Sequence, residues 1–290
     1  MAIVLAIASA IAYGAADFTG GVLTRRAHVF TVVLLSQAVS FALVLGAAPF
    51  WAGALSGQAV QWGGAAGVAG LTGAALLYKG LAIGRMSMVA PITGLLSAGI
   101  PVLFGIAMGE RPGLRALAGV VLGLIAVVMI SSAAEGGPRA ATATLSTSAH
   151  AAGNPKSGLV EALGAGLGFG LFFIFLERAP SGSGLWPLVA SRVSMVGAAL
   201  LISMVVGAPM RAARKTGLQL AWLGLLNVGA DLLFLLATRR GLLSLVAVIT
   251  SMYPASTIIL ARLVLRERLG RRQLLGLATA AVAVVLIALG

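Results

Sequence analysis

The sequence predicts an all-α integral membrane protein, with ten transmembrane helices set out as two inverted five-helix repeats. Three observations carry that reading. The 290 residues are 60% hydrophobic and only 9% charged, whereas about a quarter of a soluble domain is charged. The chain divides into ten apolar runs long enough to cross a bilayer. A 47-residue stretch that closes the first five runs recurs at the close of the second five.

A span needs roughly 17–25 mostly apolar residues, because a helix rises 1.5 Å per residue through a ~30 Å hydrocarbon core. The runs are 2–23, 29–48, 62–83, 86–108, 114–132, 158–177, 184–206, 218–238, 243–265 and 272–290. The first has no positive n-region and carries Asp17, so it reads as a retained span and not a cleaved signal peptide. Between the fifth and sixth runs, Ala133 to Gly158 is rich in Ala, Ser, Thr, Gly and Pro without apolar period, which predicts a flexible linker. The expected organisation is therefore a first repeat over 1–132, a linker over 133–157 and a second repeat over 158–290. Glycine is abundant at 39 residues. In lipid, small residues let helix backbones approach, so Gly119-x-x-x-Gly123, Gly276-x-x-x-Ala280 and Gly164-x-x-x-Gly168 read first as packing faces inside the molecule.

The repeat is ungapped. Gly84–Ile130 against Gly241–Ile287, at an offset of 157, gives eighteen identities in 47 positions. Apolar composition alone does not generate its matching Glu-Arg-x-Gly-x-Arg turns, Glu110 to Arg115 and Glu267 to Arg272. Five spans per half is an odd number, so the second half enters from the opposite side and is inverted. Inverted repeats are a recurring device of secondary transporters, where two similar bundles rock about a shared midplane site. The charged phrase itself reads as a tight turn, in which Glu110 and Glu267 pair with neighbouring arginines and Gly113 and Gly270 suit a turn or helix start.

Composition also excludes functions. With no cysteine, disulfides, thiolate catalysis and Cys-ligated metals are out. The net charge of +13 would point to nucleic acid in a soluble protein, but here the cations sit in short breaks between apolar runs, as topology signals do. Two histidines outside the spans and seven acidic residues in all leave little catalytic material and no clustered metal site. No Gly-x-x-x-x-Gly-Lys-Ser/Thr loop is present to bind a nucleotide. No cofactor is expected.

Ten spans in two halves, each carrying an Ile-Thr motif (Ile92-Thr93, Ile249-Thr250) and ending in a Glu-Arg-x-Gly turn, resemble EamA-type members of the drug/metabolite transporter superfamily. Tyr13 to Arg26, YGAADFTGGVLTRR, is similar to the first span of that group. The resemblance implies a bundle around a central cavity, lined by spans one, three, four, six, eight and nine. It does not carry a substrate.

Charge at bilayer depth costs roughly 2.5 kcal/mol or more, so ionisable residues there face a cavity or a partner. Asp231 is mid-span in the eighth run, with Asn227 one turn earlier on the same face. It reads either as a cavity carboxylate for a cationic group or a proton, or as a buried partner of Arg192 or Lys79. For Asp17 a coupling carboxylate and an interfacial ion pair are both open. Tyr13 and Tyr78, on spans one and three, join the candidate lining. Pro91 and Pro254 free backbone carbonyls within the fourth and ninth spans, which makes them candidate hinges and Thr93, Thr250 and Tyr253 candidate lining residues. Glu161 and Glu177 read as interfacial and Gln37 as a helix–helix hydrogen bond.

The expected function is a secondary transporter that moves small, partly apolar or amino-acid-like metabolites by alternating access, in the export direction, driven by proton exchange or by the substrate gradient. A non-transporting scaffold or sensor, and an integral membrane enzyme, are the alternatives. The expected setting is a bacterial-type plasma (inner) membrane, the partners are substrate, lipid and protons, and the chain is a monomer or weak homodimer. Most of the 20 Lys and Arg lie in the odd-numbered loops, which predicts those loops in the cytoplasm and both termini outside, whereas family precedent has the termini inside.

Overall fold

A computed structural model describes residues 1–24, 29–83, 86–132, 158–206, 217–265 and 270–290. Among these residues the secondary structure is helical, with no strand. The helices are α1 (Ala2–Thr24), α2 (Val29–Ala47), α3 (Gly57–Ile83), α4 (Met86–Ala107), α5 (Leu114–Ser132), α6 (Leu159–Arg178), α7 (Trp186–Val206), α8 (Gly217–Thr238), α9 (Leu243–Thr250), α10 (Tyr253–Leu265) and α11 (Arg271–Leu289). Short 3-10 turns lie at Ala48–Phe50 and Ser181–Ser183. The linker expected over 133–157 falls outside the described residues.

Among the described residues seven stretches are long and apolar enough to cross a bilayer, and α4, α5 and α7 hold shorter apolar segments. Helix is the form that satisfies every backbone N–H and C=O within one segment, as lipid requires. The outer surface is apolar: Leu103 of α4, Leu201 of α7, Leu225 of α8 and Val282 of α11 are exposed. A water-facing surface would not present such a belt.

The run expected as one ninth span is two helices. Its first eight residues form α9, Ser251 and Met252 make a turn, and α10 restarts at Tyr253. Pro254 explains the break, since it has no N–H to offer the carbonyl of Thr250 four residues back. The third helix also begins earlier than the apolar run, at Gly57, where Ser56 Oγ accepts a hydrogen bond of 3.1 Å from Ala59 N–H and so serves as an N-cap.

Helix pairing follows a pattern. α3 packs on α6 and α7, and α8 packs on α1 and α2. α4 packs on α6, while α9 and α10 pack on α1. α2 meets α7, α4 meets α9, and α5 meets α11. Small residues set these crossings. A Cβ on Gly168 of α6 would lie 2.7 Å from Gly73 Cα of α3. On α5, a Cβ at Gly119 would lie 2.7 Å from Ile287 of α11, and on α11 one at Gly276 would lie 2.8 Å from Ile130 of α5. The start of each of these two helices therefore abuts the end of the other, so α5 and α11 run antiparallel. The glycine motifs serve packing inside the molecule, as their sequence context implied. Hydroxyls add cross-helix bonds: Ser9 Oγ donates to Ala230 O at 2.8 Å, and Ser40 Oγ to Gly224 O at 2.7 Å.

One end of the bundle is tied by polar contacts between distant loops. Ala54 N–H donates to Gly182 O at 3.0 Å, and the hydroxyls of Ser56 and Ser183 are 3.3 Å apart. The Arg239 guanidinium donates to the carbonyl of Gly184 at 3.3 Å. At the same end the Glu110 carboxylate accepts from the backbone N–H groups of Leu243, at 2.5 Å, and Ser244, at 3.0 Å. Glu110 thus caps the start of α9 instead of pairing with the arginines beside it in sequence. The N–H groups that open a helix lack internal acceptors, and an anion there is doubly favoured by the helix dipole.

Candidate functional site

The deepest polar cluster is assembled by four helices. Asp231 of α8 is 2% exposed and forms an ion pair with Arg192 of α7, itself 2% exposed. Arg192 Nη2 donates to Asp231 Oδ2, and the Tyr13 hydroxyl of α1 donates to Asp231 Oδ1. Arg192 Nη1 donates to Gln37 Oε1 of α2 at 2.5 Å and lies 3.2 Å from Met195 Sδ on its own helix. Arg192 Nε is buried with no hydrogen-bond partner among the described residues. Each Asp231 oxygen therefore accepts one bond, while the guanidinium Nε has no acceptor among the described residues.

Aromatic rings wall this cluster. Tyr13 stands 6.3 Å edge-on from Phe173 and 6.2 Å from Tyr253, centroid to centroid. Phe173 also meets Phe234 at 4.6 Å and Phe172 at 5.5 Å. A wall of this kind keeps water away, and low local polarity strengthens charge–charge and hydrogen-bond interactions inside it.

The structure brings together Tyr13 and Asp231 from the expected residues, with Tyr253 against the Tyr13 ring. It separates others. Asn227 is half-buried and donates to the carbonyl of Leu223 on its own helix at 3.0 Å, so it does not join Asp231. Thr93 Oγ1 donates to Ala162 O at 3.2 Å and serves the α4–α6 contact. Thr250 is buried at the end of α9, its hydroxyl without a partner among the described residues. Asp17, one turn beyond Tyr13 on α1, is half-buried and has no ion-pair or hydrogen-bond partner among the described residues. Lys79 pairs with Glu161 at 3.0 Å, with the lysine side chain 64% exposed, which leaves Arg192 as the cation facing Asp231. The side chains of Tyr78 and Pro91, and Glu267 as a whole, lie outside the described residues. Among the described residues no three His, Cys, Asp or Glu come together as a metal site.

Sequence reasoning held Arg192 only as one alternative partner, and it missed Phe173 and Phe234. The signal for Arg192 was present: an arginine mid-way along an apolar run must find a carboxylate or a polar partner. The phenylalanines gave none, because an apolar residue in an apolar span is silent about which way it points.

Comparison with known proteins decides the family. Residues 1–132 and 156–289 match the EamA-like transporter family. The chain belongs to that family. The EamA-like family lies within the drug/metabolite transporter superfamily, and membership with these long apolar helices makes the chain a multi-pass membrane protein of a class that acts on small molecules in lipid. A solved crystal structure is similar to this EamA-like chain with a TM-score of 0.70 at 18% identity, over 97% of this chain and 96% of the other. At that identity the likeness concerns the fold. No curated protein matches the chain.

Proposed function

We propose that this EamA-like protein is a secondary transporter that moves small, partly apolar metabolites out of the cell by alternating access, as ten spans in two inverted halves about a central site. The observation that carries the proposal is the reciprocal contact of α5 and α11. Gly119 with Ile287 and Gly276 with Ile130 are one contact written twice at the 157-residue offset of the sequence repeat. Such reciprocity is the mark of a two-fold relation, and its antiparallel sense supports inversion. The wider pairings support it too: α3 on α6 and α7 has its counterpart in α8 on α1 and α2.

Two further features fit the mechanism. The contacts of Ala54 with Gly182 and of Glu110 with α9 join the first half to the second at one end, which reads as a closed gate. The α9–α10 break places a bend inside the second half, beside the Tyr13 ring. Membrane transporters use interrupted helices of this kind at their sites.

The proposal is tested with the full chain in proteoliposomes and a broad panel of labelled small metabolites. Protein-dependent counterflow of at least one is expected. Absence of flux across the panel would favour a membrane scaffold or sensor.

A further inference from the structure

Resting on the transporter reading, we infer that Arg192 is the anchor for a carboxylate on the transported molecule, and that Asp231 occupies this anchor when the molecule is absent. The site thus selects an anion with an apolar body.

Donor and acceptor accounting leads there. Each Asp231 oxygen already accepts a bond, from Arg192 and from Tyr13, and its charge is already balanced by Arg192, so an amine gains no uncompensated anion there. The unused capacity is on the cation: Arg192 Nε is buried and unpartnered among the described residues. A buried donor left unpaired is destabilising. A guanidinium offers five N–H groups in a planar fork that suits a bidentate carboxylate. Asp231 takes a bond from Nη2 only, and Gln37 takes Nη1. A second carboxylate has a place to bind if the first gives way.

Charge balance says how it gives way. Two carboxylates on one buried guanidinium leave a net negative charge without solvent, which is costly. If Asp231 takes a proton on one oxygen, the Arg192–Asp231 ion pair breaks and the guanidinium hydrogen bonds pass to the incoming carboxylate. The site then holds one cation, one anion and one neutral acid. On the far side, the anion leaves, the proton leaves Asp231, and the original pair re-forms. One proton accompanies one anion in the same direction, so export runs on the anion's own gradient and not on proton exchange.

The neighbours of Asp231 permit this. From α1 it faces Tyr13, with Asp17 one turn beyond, and from α7 it faces Arg192. α2 offers Gln37, and α9 has no titratable side chain. α6 carries Glu161, Glu177 and Arg178 only at its ends, and Tyr253 reaches the cluster through the Tyr13 ring. The Tyr13 hydroxyl can hydrogen-bond either form of the acid. The rings of Tyr13, Phe173, Phe234 and Tyr253 supply the apolar contact for the rest of the molecule.

The test uses the purified full chain in detergent and three probes with one apolar body: phenylacetate, phenylacetamide and phenethylamine. Ligand-dependent shifts of the thermal midpoint are read between about pH 8 and 6, a range in which the first probe stays anionic. Phenylacetate alone should stabilise, with apparent affinity rising about tenfold per pH unit on acidification, the slope for one linked proton. Asp231→Asn should keep anion binding and lose its pH dependence. The double variant Arg192→Gln/Asp231→Asn, a neutral pair that leaves no lone buried charge, should lose the response altogether. A response to the amide or the amine equal to that for the acid, a pH-flat parent, a responding double variant, or silence with all three probes would each overturn the inference. The two proposals can fail separately. Anion-selective, pH-linked binding in a protein with no vesicle flux would sink transport and leave the anchor standing, and flux of cations alone would do the reverse.

Discussion

Arg192 and Asp231 form an ion pair between α7 and α8, each side chain almost wholly removed from solvent. Both are buried, so each depends on the other for charge compensation. Removal of one partner from a buried pair typically costs about 3–5 kcal/mol, whereas a well-packed apolar replacement of both is often neutral. Arg192→Ala or Asp231→Ala should therefore lower the thermal midpoint sharply, and Arg192→Met/Asp231→Leu should recover most of the loss while abolishing flux. Single variants as stable as the parent would show that the pair is not buried. The milder Asp231→Asn should insert normally yet impair transport.

Tyr13 contributes one hydrogen bond to a charged acceptor. Such bonds are worth about 1.5–3 kcal/mol, and Tyr13→Phe removes the hydroxyl without opening a cavity. A drop of that size in unfolding free energy is expected, together with reduced flux. Unchanged stability would mean that the hydroxyl bonds elsewhere.

Glu110 holds the first turn of α9 from across the chain. Capping interactions are worth about 0.5–2 kcal/mol. Glu110→Ala should cost about that much and speed amide exchange at Leu243 and Ser244 before the rest of the helix. Glu110→Gln, which keeps an acceptor but not the charge, should fall between. Exchange at α9 indifferent to either change would exclude the cap.

The α5–α11 contact makes a reciprocal prediction. Gly119→Val should clash with Ile287, and Gly276→Val with Ile130, each destabilising by about 1–3 kcal/mol, the usual cost of overpacking. Ile130→Ala should relieve part of the second, whereas Ile287→Ala should leave most of the first, because the Ala283 carbonyl oxygen and the Ile287 backbone nitrogen also lie 2.9 Å from a Cβ at Gly119. Rescue of both by Ile287→Ala would contradict the pairing.

Orientation is checked by a reporter fused after Gly290. The Lys and Arg bias of the odd loops predicts that terminus outside, and alkaline phosphatase fused there should then be active. Cytoplasmic fluorescence from the same position would reverse the assignment.

Much of this molecule was legible because its information is periodic or compositional. The apolar runs named the helices, and the Glu110 and Glu267 phrases named the repeat. The break in the ninth run was foreshadowed by Pro254, although its consequence, two helices joined at Ser251–Met252, needed the backbone. The site was legible only in outline. Asp231 stood out as a costly charge, but its partner had to be chosen between Arg192, well inside its run, and Lys79, near the end of its own but with a side chain long enough to reach inward. Asn227 shares the face of Asp231 by helical spacing, yet its amide turns to its own backbone at Leu223, a local bond that spacing does not forbid.

By itself the sequence determined the solvent, the helical content and the duplication, because each follows from how many apolar residues lie between polar ones. Only the tertiary structure decided who meets whom: Arg192 with Asp231, Tyr13 with both α8 and α10, Glu110 with the start of α9. Those contacts join residues from 39 to 240 positions apart in the chain, and such partners are selected by the packing of whole helices, which no local pattern encodes.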